Sequence, residues 1–106
     1  MTDSTPPGVF VERLLDYVVA DTPPRTVTVR IYQPVQRGPQ EWKARVEIRG
    51  LDSPFDHYFT GTDGVMALFE ALRIAGGVLD RHPGLSWGEY KPWEPVGFGT
   101  SAEMVL

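Results

Sequence analysis

The sequence alternates most regularly in two stretches, TVTVRIY at residues 26–32 and EWKARVEIR at residues 41–49. Every second side chain in each stretch is aliphatic or tryptophan, and most of those between are polar or charged. Because successive side chains of a β-strand point to opposite faces, this pattern is typical of strands with one buried and one wet face. We therefore predict two strands of an antiparallel sheet covered on a single side. The intervening Gln33–Gln40 contains two prolines and a glycine and is predicted to be a loop.

Two further segments extend the predicted sheet. Phe10–Val19 is apolar but alternates less regularly, and its pattern is compatible with both a strand and a helix. A strand is favoured, because Ala20–Arg25 holds two prolines and leads directly into the next strand, as a hairpin would. Phe55–Thr60, which follows the turn Asp52–Pro54, is predicted to be a short fourth strand rich in aromatic residues.

A helix is predicted after the fourth strand. Thr62 or Asp63 can cap its N-terminus by accepting a hydrogen bond from a backbone N–H, and His82–Gly84 ends it. Apolar residues at helical spacing predict a buried stripe of Val65, Leu68, Phe69, Leu72, Gly76 and Leu79. Gly76 and Gly77 lie inside the helix and cost roughly 1 kcal/mol each relative to alanine. We expect a close approach of the helix backbone to a strand to compensate, with a hinge as the alternative.

These elements predict an α+β fold, in which an antiparallel meander of about four strands carries one amphipathic helix on one face, in the order β-β-β-β-α. A chain of 106 residues fits one such domain. We divide it into a flexible N-terminus at residues 1–9, a single domain at 10–84 and a tail rich in Gly, Pro and aromatic residues at 85–106. We expect the tail to pack on the domain or on a partner subunit.

Composition and motifs exclude several classes of site. The chain has no cysteine, so it has no disulfide, thiolate nucleophile or cysteine-ligated zinc, and it fits a reducing cytoplasm. Ser53, Asp56 and His57 are the residue types of a hydrolase triad, but neighbours in a strand point to opposite faces, so Asp56 cannot readily orient His57. His57 and His82 lack the spacing of metal ligands. We predict no catalytic residue, metal or cofactor.

Charge and hydropathy limit the partners. The net charge is −4, with basic residues in excess only at residues 25–49, so a general nucleic-acid binder is not expected. Apolar runs are far shorter than the roughly 20 residues that cross a bilayer, and no signal-peptide core is present, so we expect neither membrane insertion nor classical export.

The wet face of the two regular strands and the tail are the candidate interaction surfaces. They consist of Arg30, Tyr32, Lys43, Arg45 and Arg49 on the strands and Trp87, Tyr90, Trp93 and Phe98 in the tail. Arginine and aromatic residues are enriched at binding hot spots. The alternative for the wet face is a solvated surface with cross-strand ion pairs. A base-stacking RNA surface is disfavoured, because Tyr32 is the only aromatic side chain firmly assigned to that face.

The order of features resembles a family of short bacterial proteins known only as a domain of unknown function. The resemblance rests on Thr26–Tyr32, Trp42–Gly50, Gly64–Leu79 and, more weakly, Leu85–Gly88 and Gly97–Phe98, and it spans roughly residues 10–98. It implies the fold and a bacterial origin and carries no activity.

The leading functional hypothesis is therefore a non-catalytic module that self-associates or binds a protein partner. One alternative is an immunity or antitoxin-type protein, because such small acidic proteins neutralise basic toxins. The other is a small-ligand binder or enzyme with a pocket between helix and tail, near His57, His82 and Trp87.

Overall fold

A computed structural model describes residues 8–86 of the chain. Its elements are β1 (Val9–Tyr17), β2 (Arg25–Tyr32), β3 (Val35–Gly38), β4 (Glu41–Arg49), β5 (Phe55–Gly61), α1 (Gly64–Asp80) and β6 (Leu85–Ser86). All strand pairs between them are antiparallel, and they form one sheet. The predicted α+β class is confirmed, and Phe10–Val19 contributes a strand, not a helix.

The sheet is a meander with two additions. β1, β2, β4 and β5 are neighbours in that order, as predicted. β3 lies beyond the end of β2 on the same side of β4, where it pairs with residues 41–43 while β2 pairs with residues 46–49. β6 lies on the outer edge of β1 and pairs only with Asp16 and Tyr17.

The predicted count of four strands is therefore too low by two within the described residues. β3 has four residues and falls inside the predicted loop Gln33–Gln40. Pro34, Gly38 and Pro39 are typical of loops and gave no sign of a strand there. β6 has two residues, too few for alternation to show.

The core lies between the sheet and α1, and the alternating strands supply most of it. The buried strand residues facing α1 include Val27, Val29, Ile31, Ala44, Val46 and Ile48. The helix begins where expected, since Asp63 accepts a hydrogen bond from the backbone N–H of Met66 at 2.8 Å.

The buried side of α1 agrees with the predicted stripe in part. Gly76 and Leu79 are buried as predicted, and Leu68 and Leu72 are half-buried and pack against the core. Val65 is 76% exposed and does not belong to the buried side. The prediction also missed Ala67, Ala71 and Ala75, which are buried. It was based on large side chains, whereas alanine brings a helix close to a sheet.

Of the two glycines expected to approach a strand closely, Gly76 is buried on the sheet side of α1 and Gly77 is not, and a further close approach lies at Gly61. Gly61, the last residue of β5, meets the first turns of α1, and a Cβ on it would lie 2.7 Å from the carbonyl carbon of Met66. A Cβ on Gly77 would meet nothing within 4 Å. Close packing therefore accounts for Gly61 and not for Gly77.

Candidate interaction surfaces

The open face, which is the sheet face turned away from α1, carries an ion-pair cluster around Glu47. This carboxylate is 7% exposed. It accepts hydrogen bonds from the Tyr32 hydroxyl at 2.9 Å and from Arg49 Nε at 3.0 Å. Arg30 and Arg45 place guanidinium nitrogens 3.7 and 3.9 Å from its oxygens. We call these five residues the Glu47 cluster; it unites four of the five strand residues predicted as an interaction surface.

Strand register assembles this cluster. Glu12 on β1 lies opposite Arg30 on β2, Arg30 lies opposite Glu47 on β4, and Glu47 lies opposite Asp56 on β5. Arg30 Nε donates to Glu12 at 2.7 Å. Glu47 and Asp56 are like charges facing each other, which alone would destabilise the pairing. Arg45 relieves this by donating two hydrogen bonds to Asp56, at 2.8 and 2.7 Å, while lying near Glu47.

The electrostatics follow from these contacts. Hydrogen bonds from Arg45 lower the pKa of Asp56. Burial, and then the hydrogen bond to Glu47, raise the pKa of the Tyr32 hydroxyl. The Arg45 guanidinium also lies 4.5 Å from the centre of the Tyr32 ring, a cation–π distance. Arg30 and Arg45 thus form ion pairs with carboxylates of their own sheet. Positive and negative side chains therefore alternate across the open face.

The fifth predicted strand residue, Lys43, lies beside this cluster. It lines a hollow of about 240 Å³ together with Arg37 and Tyr58, and Tyr32 and Arg45 of the cluster line the same hollow. The tail aromatics Trp87, Tyr90, Trp93 and Phe98 lie outside the described residues.

A surface that the sequence interpretation missed runs along β1. We call it the β1 edge: the outer side of Val9–Leu15, which has no strand partner among the described residues because β6 reaches only Asp16 and Tyr17. Exposed apolar side chains belong to this strand and the two residues after it, namely Phe10, Val11, Leu14, Val18 and Val19. The irregular alternation of Phe10–Val19 was the available signal, since apolar residues fall on both faces there.

A groove lies at the opposite edge of the sheet, between β5 and the second half of α1. It has a volume of about 460 Å³ and is lined by Phe55, His57, Tyr58, Phe59, Arg73, Ile74, Gly77, Val78 and Arg81. The His57 ring packs edge-on against Phe55 at 4.6 Å between centroids. His82 is not in this lining and instead packs against Tyr17. We call this feature the β5–α1 groove.

No helix within residues 8–86 is long and apolar enough to cross a membrane. Comparison with known families finds one match: the model described as Domain of unknown function (DUF6968) fits residues 11–98. The predicted resemblance to a domain of unknown function is thereby confirmed. No curated protein and no solved structure matches the chain.

Proposed function

Because the chain belongs to the DUF6968 family of domains of unknown function, its role must be argued from its surfaces, and we propose that it is a non-catalytic interaction module that self-associates through the β1 edge. The observation that carries this proposal is the exposed apolar character of a strand whose outer side is open over most of its length in the described residues.

Such an edge favours pairing with another strand. Its outward N–H and C=O groups are a template for strand addition, which proteins usually block with charges, prolines or a covering element. Here Phe10, Val11 and Leu14 lie on the edge strand itself. Two copies of one strand can pair antiparallel about a two-fold axis, so the same surface serves both subunits. Pairing would bury apolar side chains that are now in water, which is favourable.

We place this module in a bacterial cytoplasm. The lack of cysteine fits a reducing compartment. Arg30 and Arg45 of the open face are paired with carboxylates, so neither a nucleic acid nor a membrane is proposed as partner.

Light scattering after size exclusion of the full chain, at low and at high micromolar concentration, tests the proposal. We expect a dimer that Leu14→Lys converts into a folded monomer, because the charge falls on an apolar side chain that is 57% exposed at the edge. Val65→Lys is the matched control, since Val65 is also exposed but lies at the start of α1. A native chain that stays monomeric throughout, or a Leu14→Lys dimer as stable as the control, would refute self-association through β1.

A further inference from the structure

Two arginines with a gap between them lie along the end of the helix: Arg73 is in α1, and Arg81 is its C-cap residue. Arg73, Gly77 and Arg81 follow each other at intervals of four residues and therefore share one side of the helix. All three line the β5–α1 groove. A Cβ at Gly77 would meet nothing within 4 Å, so the glycine leaves an open space. Glycine inside a helix lowers stability by about 1 kcal/mol relative to alanine, so the helix is less stable where this space lies.

The facing wall of the groove is an edge strand. Among the described residues β5 pairs only with β4, so the backbone groups on its other side are open to a partner. The lining contains Phe55, His57 and Phe59, whose side chains share the sheet face turned toward α1. It also contains Tyr58, whose side chain lies on the open face. The groove therefore passes around the outer edge of β5, where an extended chain could hydrogen-bond to the strand.

β5 and α1 run side by side in opposite directions. Gly61, at the end of β5, lies against Met66 and Ala67 near the start of the helix, while Phe55 and Arg81 both line the far part of the groove. Four residues of helix advance about 6 Å, and two residues of strand advance about 7 Å. The two spacings are nearly equal. On a strand added to β5, every second side chain would therefore lie opposite Arg73, Gly77 and Arg81 in turn.

The charge of the lining selects the partner. The nine described residues that line it include two arginines and a histidine and no carboxylate, although the whole chain has a net charge of −4. Arg73 is paired with Glu70 at 2.8 Å. Arg81 has no carboxylate partner among the residues that the structure describes. The apolar contribution comes from Phe55, Phe59 and the helix residues beside Gly77.

We propose that the β5–α1 groove binds an extended acidic peptide of a partner protein as an added strand on β5. The peptide carries an apolar side chain over Gly77 and acidic side chains two residues before and after it, which reach Arg73 and Arg81. This site is at the opposite edge of the sheet from β1 and does not depend on self-association.

Two peptides of identical composition test the spacing on the full chain by isothermal titration calorimetry. Acetyl-Gly-Glu-Thr-Leu-Thr-Glu-Gly-amide has its acids two residues from the leucine, and acetyl-Gly-Thr-Glu-Leu-Glu-Thr-Gly-amide has them adjacent to it. We expect the first to bind and the second to bind several-fold more weakly, because adjacent side chains point away from the groove. Arg81→Ala should weaken the first peptide by up to about fivefold, the range of an exposed ion pair.

Substitutions at Gly77 locate the site. Gly77→Leu fills the space over the helix and should abolish binding of the first peptide, whereas Gly77→Ala should retain it. Both variants are expected to fold, because a Cβ there meets no neighbour, and a thermal melt checks this. The proposal is overturned if the first peptide fails to bind, if both peptides bind equally, or if Gly77→Leu binds as well as Gly77→Ala. A monomeric native chain that still binds the first peptide would remove the β1 proposal alone.

Discussion

Replacing Glu47 with glutamine tests whether the Glu47 cluster stabilises the sheet. The substitution keeps the shape of the side chain and removes its charge. Glu47 accepts from Tyr32 at 2.9 Å and from Arg49 at 3.0 Å, and it attracts Arg30 and Arg45 from slightly greater distances. The amide of glutamine can still accept one of these hydrogen bonds but attracts none of the arginines as a charge does.

The size of the loss in the free energy of unfolding depends on which carboxylate partners the arginines retain. Removing one partner of a buried ion pair costs about 3–5 kcal/mol when the other charge is left buried and alone. Here Arg30 keeps Glu12 and Arg45 keeps Asp56, each at 2.7 Å, while Arg49 is 68% exposed and regains water. The expected loss in the free energy of unfolding is therefore that of a hydrogen bond to a charged group, about 1.5–3 kcal/mol.

Urea unfolding followed by circular dichroism measures this loss. Glu41→Gln is the control, because it is the same substitution on the same strand at an exposed position, and a change within about 0.5 kcal/mol is expected there. If Glu47→Gln changes stability no more than Glu41→Gln, the cluster contributes nothing to stability. A loss above about 3 kcal/mol would mean that Glu12 and Asp56 do not compensate the arginines.

Two further predictions concern the glycines and the way stability falls at acidic pH. In thermal melts Gly77→Ala should stabilise the protein by about 1 kcal/mol, whereas Gly61→Ala should destabilise it, since its Cβ would collide with the start of α1; changes of the same sign would contradict this account. Because Arg45 lowers the pKa of Asp56, this carboxylate stabilises the fold above its unfolded pKa of about 4, and the contribution is lost as the pH falls through the lower folded value. Asp56→Asn should therefore flatten stability against pH in that acid range, and an unchanged profile would show that the pair with Arg45 does not stabilise the fold.

The sheet was predictable where alternation was strict. Residues 26–32 and 41–49 place their apolar side chains in the core, because period-two alternation states which face is buried. β3 was not predictable, because its pairing depends on β4 lying alongside it and its own four residues carry no clear pattern. The helix was located correctly, but its buried side only in part, since Ala67, Ala71 and Ala75 are weakly apolar and count for little in a periodicity.

The surfaces were predictable only in part. The sequence brought Arg30, Tyr32, Arg45 and Arg49 to one face but could not show that Glu47 lies at their centre, because that depends on the register between β2 and β4. The β1 edge and the β5–α1 groove depend on which strands end the sheet and on where the helix lies across it. Neither property is contained in any single segment.

The helix that covers the core comes after strands β1–β5 in the chain, so the order of synthesis leaves one face of the sheet uncovered for a time. At about 5–20 residues per second, the twenty or so residues that complete α1 follow β5 from the ribosome by roughly 1–4 s. During that interval Val29, Val46 and Ile48 face solvent on one side of any sheet that has formed. The other side carries the ion pairs of the open face and is compatible with water. Until α1 closes over it, any sheet that has formed exposes one apolar face.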